Sequence, residues 1–174
     1  MTVSGTLVHD STATASTLQE VARGQRVPGG IVVGVDGSGC SLDALQWAMD
    51  EGELRGLPVH VLMSWHMPPV AGMPMVVLPP EVDVASAARQ QLDEVLAERP
   101  GPPGGRSAAS PLSSSIAQGS PAWELLDAAQ DASLLVVGTR GHGGFAGLLL
   151  GSVSQHCAAH ARCPVVIVHG SPQP

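Results

Sequence analysis

The sequence predicts an α/β fold: one three-layer domain in which helices cover both faces of a five-stranded, mainly parallel sheet. Short continuous apolar runs alternate along the chain with segments of helical periodicity, which is the pattern of successive βαβ units. The apolar runs lack the apolar–polar alternation of a half-exposed strand, so we expect strands that are buried on both faces. A length of 174 residues suits a single domain with its own hydrophobic core.

Five segments are expected to form the strands of this sheet. Four of them are continuous apolar runs, whereas LSSSIA is serine-rich and carries the weakest strand pattern. In chain order the strands are predicted within 30–38, 58–65, 112–117, 134–138 and 163–170.

Four helices are expected between these strands. Gly56 is placed to end the first helix as its C-terminal cap. The third helix has a strong start, with Ser120 as the cap, Pro121 at the first helical position and Glu124 in the first turn. In chain order the helices are predicted at 41–56, 81–100, 120–132 and 152–162.

The first two helices each have an apolar stripe that predicts which side faces the sheet. In the first helix the stripe consists of Leu42, Leu45, Met49 and Leu54. In the second helix the stripe consists of Val84, Ala88, Leu92, Val95 and Leu96.

Composition divides the chain into three parts. Residues 1–29 are rich in Ser, Thr and Ala and end in VPGG, which predicts a flexible extension with a short helical piece near 18–23. Residues 30–170 form the predicted domain, and residues 171–174 are a short tail. Within the domain, the stretch 66–80 contains five prolines and is expected to be a long loop.

The charge and the aromatic content argue against nucleic-acid binding. The net charge is −7, and the basic residues, all of them Arg, form no cluster that would attract a phosphate backbone. Only 2% of the residues are aromatic, so stacking platforms for a single strand are nearly absent. The lack of Lys also excludes a Schiff-base enzyme and the phosphate-binding lysine of a Walker loop.

Nothing in the chain predicts export or membrane insertion. The N-terminal stretch lacks the basic and continuous apolar regions of a signal peptide, and the apolar runs are too short to span a membrane. Cys40, Cys157 and Cys163 have no CxxC spacing, which indicates neither a disulfide framework nor a zinc site. We therefore expect a cytoplasmic protein with reduced thiols, in which Cys157 and Cys163 are inert in the core.

The stretch GTRGHGGFAGLLLGS, residues 138–152, is the main candidate for a binding site. It follows a buried strand and enters a helix at Ser152, at the edge where parallel α/β sheets bind ligands. The N–H groups and dipole of a helix N-terminus favour a phosphate, and glycines let its oxygens approach the backbone. The spacing is not that of a Walker loop, and Gly34, Gly37 and Gly39 lack the GxGxxG spacing of the dinucleotide fingerprint.

The spacing that is present, G-x2-G-x9-G-S, resembles the motif of the ATP-binding members of the universal stress protein family. IVVGVDGS, GSPAWELLDAA, LLVVGTRGHGG and CPVVIV resemble further landmarks of that family, in the same order. The resemblance implies an adenine nucleotide alpha hydrolase-like, Rossmann-like fold and an ATP-binding regulator of stress response or signalling. It also implies ATP, with Mg²⁺, as the ligand and a homodimer formed through the last strand.

The resemblance also assigns parts of the nucleotide to particular residues. Asp36 would face the adenosine, and Val59 would offer its backbone to the adenine edge. Arg140 and His142 would assist the phosphates or close over them. Asp36 has a local alternative, because a carboxylate at this position also caps a helix or completes an Asx turn. The implied binding residues are Gly34, Asp36, Val59, Gly138, Thr139, Arg140, Gly141, His142, Gly151, Ser152, Val153 and Ser154.

The sequence contains no GxSxG elbow, no pair of carboxylates at a catalytic spacing and no acidic metal cluster beside the glycine-rich loop, so it predicts no catalytic or metal-binding residue. We expect nucleotide occupancy to order the loop 139–150 and thereby set the affinity for a protein partner. One alternative is a slow nucleotide hydrolase or adenylyl-transfer enzyme, which needs a metal-binding carboxylate near the phosphates. The other is a structural dimer that binds no nucleotide.

The histidines are interpreted as surface or core residues. His156 and His160 have the i, i+4 spacing of a metal-binding pair, but no third ligand or HExxH context accompanies them. His60 and His169 are scattered elsewhere. The family often has Asp immediately before the fourth strand, where this chain has Ser133.

Overall fold

A computed structural model of the protein describes residues 26–66, 83–98, 111–141 and 149–170. All the predicted strands and helices form in these ranges, whereas the predicted helical piece near 18–23 and most of the proline-rich loop lie outside them. The elements in chain order are β1 (Ile31–Gly34), α1 (Gly39–Arg55), β2 (Val59–Trp65), α2 (Val84–Ala97), β3 (Leu112–Gln118), α3 (Pro121–Ala128), β4 (Leu134–Gly138), α4 (Ser152–His160) and β5 (Val165–Val168).

The five strands form one sheet in the order β3-β2-β1-β4-β5. All four strand pairings are parallel, which confirms the mainly parallel sheet that the sequence predicts. The chain builds outward from β1 to β3 in one direction and then crosses back to β4 and β5 on the other side. The reversal lies between β1 and β4, and in open parallel sheets a crevice forms outside the carboxyl ends of the strands at such a point.

The helices cover the sheet on both faces, as expected for a three-layer fold. The side chains of Ile31 and Val33 pack in a core cluster with residues of α1 and α2, among them Leu45 and Leu92. The side chain of Val32 faces the opposite way and packs in a second cluster with α3 and α4. Since successive side chains of a strand point to opposite faces, both layers bury apolar surface on the same strand.

The ends of the helices agree with most of the capping predictions. Gly56 has a φ of +65° and ends α1 in the left-handed conformation, as its sequence position predicts. Pro121 begins α3, but the side chain of Ser120 makes no capping hydrogen bond there. The prediction for Leu54 is wrong, because this side chain is 80% exposed and Gly52 is buried in its place.

The serines of β3 are explained by a buried histidine on β2. His60 is fully buried, and its ring nitrogens hydrogen-bond to Ser113 Oγ at 2.8 Å and Ser115 Oγ at 2.9 Å. Burial lowers the pKa of His60, since an imidazolium would lose its hydration there. The weak apolar pattern of this segment therefore comes from satisfying a polar core residue. The sequence left His60 as either a surface or a core residue, and the structure places it in the core.

Candidate functional site

Asp36 lies just past the carboxyl end of β1, where the chain turns into α1. Its Oδ1 accepts hydrogen bonds from the backbone N–H of Ser38 at 3.0 Å and from Ser38 Oγ at 2.6 Å. This is the Asx turn that the sequence allows as a local alternative. Ser38 in turn caps α1, because its Oγ accepts from the backbone N–H of Ser41 at 3.3 Å.

The Asp36 carboxylate also meets the end of β4. A Cβ at Gly141 would overlap Asp36 Oδ2, so a larger residue at this position would displace the carboxylate. Gln91 of α2 donates from Nε2 to the backbone carbonyl of Asp36 at 3.3 Å. Asp36 therefore joins the exits of β1 and β4, as expected for a residue at the switch point.

Thr139 ties the end of β4 to the start of α4. Its side chain is 4% exposed, and its backbone carbonyl accepts from Gly151 N at 2.7 Å and from Ser154 Oγ at 3.1 Å. Ser154 Oγ also lies 3.0 Å from the carbonyl of Gly151. The hydroxyl proton of Ser154 is thus donated within the protein, which indicates a structural role rather than the phosphate contact implied by the resemblance.

The N-terminus of α4 lies at this edge of the sheet, and no side chain in the described part of the chain caps it. Gly151 is the N-cap, it provides no side-chain cap, and no acidic residue occupies the first turn. The first backbone hydrogen bond of the helix runs from Gln155 N to the carbonyl of Gly151, so the N–H groups of Ser152, Val153 and Ser154 lie ahead of the helical ladder. Three such N–H groups at the positive end of a helix form an anion site.

Two of the predicted glycines are explained by packing. A Cβ at Gly34 would lie 2.8 Å from Leu125 Cδ1 of α3, and one at Gly138 would lie 2.8 Å from the backbone oxygen of Cys40. Both glycines therefore let a helix approach its strand closely. Arg140 is exposed, and its backbone oxygen lies 3.5 Å from Ser38 Oγ. His142 lies outside the described residues.

The expected role of Val59 does not fit the structure. Val59 pairs with Ile31 at the amino end of the sheet, and its backbone N–H donates to Pro111 at 2.9 Å. The carboxyl end of β2 lies several residues further on, at about 3.3 Å per residue. A ligand at the switch point therefore lies at the opposite end of the strand from Val59.

Ser64 lies at the carboxyl end of β2, the end nearer the switch point, and the sequence analysis did not single it out. The Leu62 carbonyl accepts from Val35 N on the β1 side, and the Trp65 carbonyl accepts from Gly119 N on the β3 side. Because backbone groups alternate between the two neighbours, Ser64 directs its N–H and C=O toward the β1 side. The β1–β2 register ends at Gly34 and Leu62, so these groups lie beyond the paired part of β1, and the same register continued by two residues places Ser64 level with Asp36. The signal was strand direction: a parallel sheet presents its carboxyl ends to a ligand.

The structure describes the surroundings of two of the cysteines, Cys157 and Cys163. Burial, with a smaller contribution from the Cys163 thiol, raises the pKa of Cys157 to about 11 and makes its thiolate rare at neutral pH. Burial also raises the pKa of Cys163. In the described ranges, no three His, Cys, Asp or Glu side chains come together as a metal site. No helix in those ranges is long and apolar enough to cross a membrane.

A doubly wound parallel sheet with a helix N-terminus beside its switch point defines an α/β protein of the Rossmann-like class. Within that class, the chain belongs to the universal stress protein family, whose family model matches residues 30–169. The match spans the whole described domain and confirms the family that the sequence motifs indicate.

Relatives and solved structures agree with this assignment. Universal stress protein Rv2623 of Mycobacterium tuberculosis is 38% identical over 148 residues, which is 80% of this chain and 47% of the relative. The chain thus spans about half the length of the curated relatives it matches. A solved universal stress protein in complex with cAMP is 28% identical, with a TM-score of 0.55 over 83% of this chain and 99% of that one. A universal stress protein from Archaeoglobus fulgidus in complex with dAMP, at 24% identity, TM-score 0.56 and coverage of 82% and 98%, shows the same fold.

Proposed function

We propose that the chain binds an adenine nucleotide at the carboxyl edge of the sheet and acts as a nucleotide-dependent regulator. The observation that carries this proposal is the N-terminus of α4, beside the β4 exit. Its first turn has neither a side-chain cap nor an acidic residue, so a phosphate would meet N–H donors and no like charge. The solved relative that carries cAMP supports the choice of an adenine nucleotide.

The adenine would be recognised by the backbone of Ser64. A backbone N–H and C=O on one residue match the acceptor N1 and the donor amino group of adenine, whereas guanine reverses this pattern. Neighbouring strands are about 4.8 Å apart, so the distance from β2 across β1 to β4 is about 10 Å, which a nucleotide bridges. Asp36 lies on this path and would contact the ribose through its carboxylate.

ATP with Mg²⁺ is the form we propose, with regulation rather than turnover as its role. Mg²⁺ commonly keeps several waters and binds through substrate phosphates, so a dedicated cluster of protein carboxylates is not required. ATP would then bind one arrangement of the β4–α4 connection more tightly and thereby bias a protein partner. Backbone amides of 139–141 and 149–154 should gain hydrogen-exchange protection with ATP, and equal protection without it would contradict regulation by this route.

Two measurements test the binding proposal. Mass spectrometry of small molecules released from purified protein should find an adenine nucleotide. Calorimetric titration with ATP, ADP, AMP, cAMP and GTP should rank GTP about 100-fold or more below ATP, because guanine leaves the Ser64 groups unpaired. Equal affinity for ATP and GTP would contradict the backbone contact, and multiple-turnover hydrolysis would favour the enzyme alternative.

We also propose a homodimer through β5. Val165–Val168 is an apolar, partly exposed edge strand, and such an edge needs pairing or cover. The carbonyls of Pro164 and Val168 accept from β4, so Ile167 directs its N–H outward. Ile167→Pro should therefore convert the dimer to a monomer in sedimentation, whereas Val166→Pro should break the ladder to β4 and lower stability. A monomeric wild type would refute the dimer.

A further inference from the structure

α4 carries a stacked pair of histidines away from the nucleotide edge. His156 and His160 are one helical turn apart, and their ring centroids lie 4.3 Å from each other with an interplanar angle of 23°. His160 is exposed and His156 is partly buried. The two imidazoles therefore form one surface feature near the C-terminal end of the helix.

A hydrogen bond fixes which nitrogen of His160 carries its lone pair. Nδ1 of His160 lies 3.0 Å from the backbone carbonyl of His156, and a carbonyl only accepts, so Nδ1 carries the proton. The neutral ring then presents its lone pair at Nε2. Histidines that bind metals commonly donate their other ring N–H to a backbone carbonyl in this way.

His156 has a nitrogen that the described residues leave unexplained. Its Nε2 is buried, and no hydrogen-bond partner for it occurs among those residues. The Trp123 ring of α3 meets the His156 ring edge-on, with centroids 5.0 Å apart. A buried polar atom without a partner calls for an explanation, and an ion is one of the accepted explanations.

We propose that the His156–His160 pair binds a first-row transition-metal ion through one nitrogen of each ring. Imidazole suits Ni²⁺, Cu²⁺ and Zn²⁺, and metal–nitrogen bonds of about 2.0–2.1 Å join two nitrogens roughly 3.3 Å apart. Imidazole lone pairs lie in the ring planes, so the two rings must turn out of the 4.3 Å stack to reach that separation, and this rotation would also expose the buried Nε2 of His156 to the ion. The negative end of the α4 dipole also favours a cation there.

The site would exchange its metal readily. The described residues bring no third His, Cys, Asp or Glu ligand to the pair, so water would complete the coordination. Ligating histidines must be neutral, and binding would therefore weaken in acid. The competing explanation is that the two rings only pack against Trp123, in which case removing one imidazole would not change metal binding.

The test is a titration of tag-free full-length protein with NiCl₂ at pH 7.5, followed by calorimetry and by tryptophan fluorescence. Wild type should bind one Ni²⁺, with quenching of Trp123, and binding should weaken at pH 5.5. His160→Ala should weaken binding about tenfold or more, because even second-shell losses at metal sites cost 10–100-fold. His156→Gln should do the same.

Two controls keep the result specific. Trp123→Phe should remove most of the quenching but keep the calorimetric binding, and the exposed His169→Ala should bind like wild type. Affinity of His160→Ala within twofold of wild type would overturn the proposal. So would an equal loss in His169→Ala, since that would indicate scattered surface binding.

Discussion

Two helices begin at the same edge of the sheet, and their N-termini differ in one respect. α1 is capped by its own Ser38, whose hydroxyl accepts from Ser41 N and donates to Asp36. α4 begins at Gly151 with no side-chain cap. Among the described residues, a side chain thus satisfies the N-terminus of α1 and none caps that of α4, which is why we propose α4 as the one that receives an external anion. A helix N-terminus is a ligand site only where the chain does not occupy it.

The largest effect is expected from a negative charge at the N-terminus of α4, where we propose that the phosphates bind. Ser152→Asp should weaken ATP binding at least about a hundredfold, since two like charges 4 Å apart repel by roughly 4 kcal/mol at an effective dielectric constant of 20. The neutral isostere Ser152→Asn is the control. The positive end of the helix dipole stabilises a negative charge at this position, so thermal stability should not fall. Equal ATP affinity in both variants, by calorimetry, would place the phosphates elsewhere.

A second prediction concerns two glycines near the start of α1, Gly138 at the end of β4 and Gly39 in the first turn of the helix. Gly138→Ala should destabilise the fold by about 1–3 kcal/mol, because its Cβ would press on the backbone of Cys40, which does not yield easily. Gly39→Ala meets nothing within 4 Å and should stay within about 0.5 kcal/mol of wild type. Urea unfolding measures both. Similar losses in the two variants would mean that the approach of β4 to α1 is not close.

A third prediction concerns the pH dependence of stability, which depends on buried His60 and not on the residues at the carboxyl edge of the sheet. Unfolded His60 titrates near a pKa of 6.5, whereas burial lowers the pKa of His60 in the folded protein. Below pH 6.5 His60 is protonated in the unfolded chain but stays neutral in the folded protein. The free energy of unfolding therefore falls by up to about 1.4 kcal/mol per pH unit until the pH reaches the lowered pKa of folded His60. Urea unfolding between pH 8 and 5 should show this slope.

The variant His60→Gln should flatten that slope, and His169→Gln, on the surface, should leave it unchanged. A slope that is the same in wild type and His60→Gln would assign the acid sensitivity to another group.

The smallest expected effect comes from removing one serine hydroxyl at the start of each of the two helices. Ser38→Ala removes the cap of α1 and should cost about 1 kcal/mol of unfolding free energy. Ser152→Ala changes an exposed side chain that does not cap α4 and should stay within about 0.5 kcal/mol. Chemical denaturation of the two variants side by side is sufficient. A loss of unfolding free energy in Ser152→Ala as large as that in Ser38→Ala would show that the Ser152 hydroxyl also stabilises the start of α4.

Much of the fold was predictable because its signals are local. The β1 run, the Gly56 cap and the Pro121 start are each decided within a few residues, and the structure confirms all three. The prediction that Leu54 belongs to the apolar stripe of α1 was wrong because Leu54 lies five residues after Met49, whereas residues on one face of an α-helix are three or four apart.

The site was only partly predictable because its geometry is not local. The Asx turn of Asp36 is a short-range feature, whereas its contact with Gly141 depends on two strands that are distant in the sequence. Val59 came from the resemblance alone, and its place in the register, opposite Ile31 at the amino end of β1, shows only once the strands are paired. The role of Ser154 depends on Thr139, fifteen residues away, and its type alone does not distinguish a phosphate ligand from a loop anchor.

The central place of β1 affects the chain while it is being synthesised. One edge of β1 pairs with β2 soon after it, but Ile31 also pairs with Leu134, about a hundred residues later. At roughly 5–20 residues per second, the ribosome needs on the order of 5–20 seconds to supply that second partner. During this time the edge of β1 that faces β4 has no partner strand. An edge that is fully paired in the folded sheet is thus an unpaired strand edge in the growing chain, of the kind on which strands of other chains can pair.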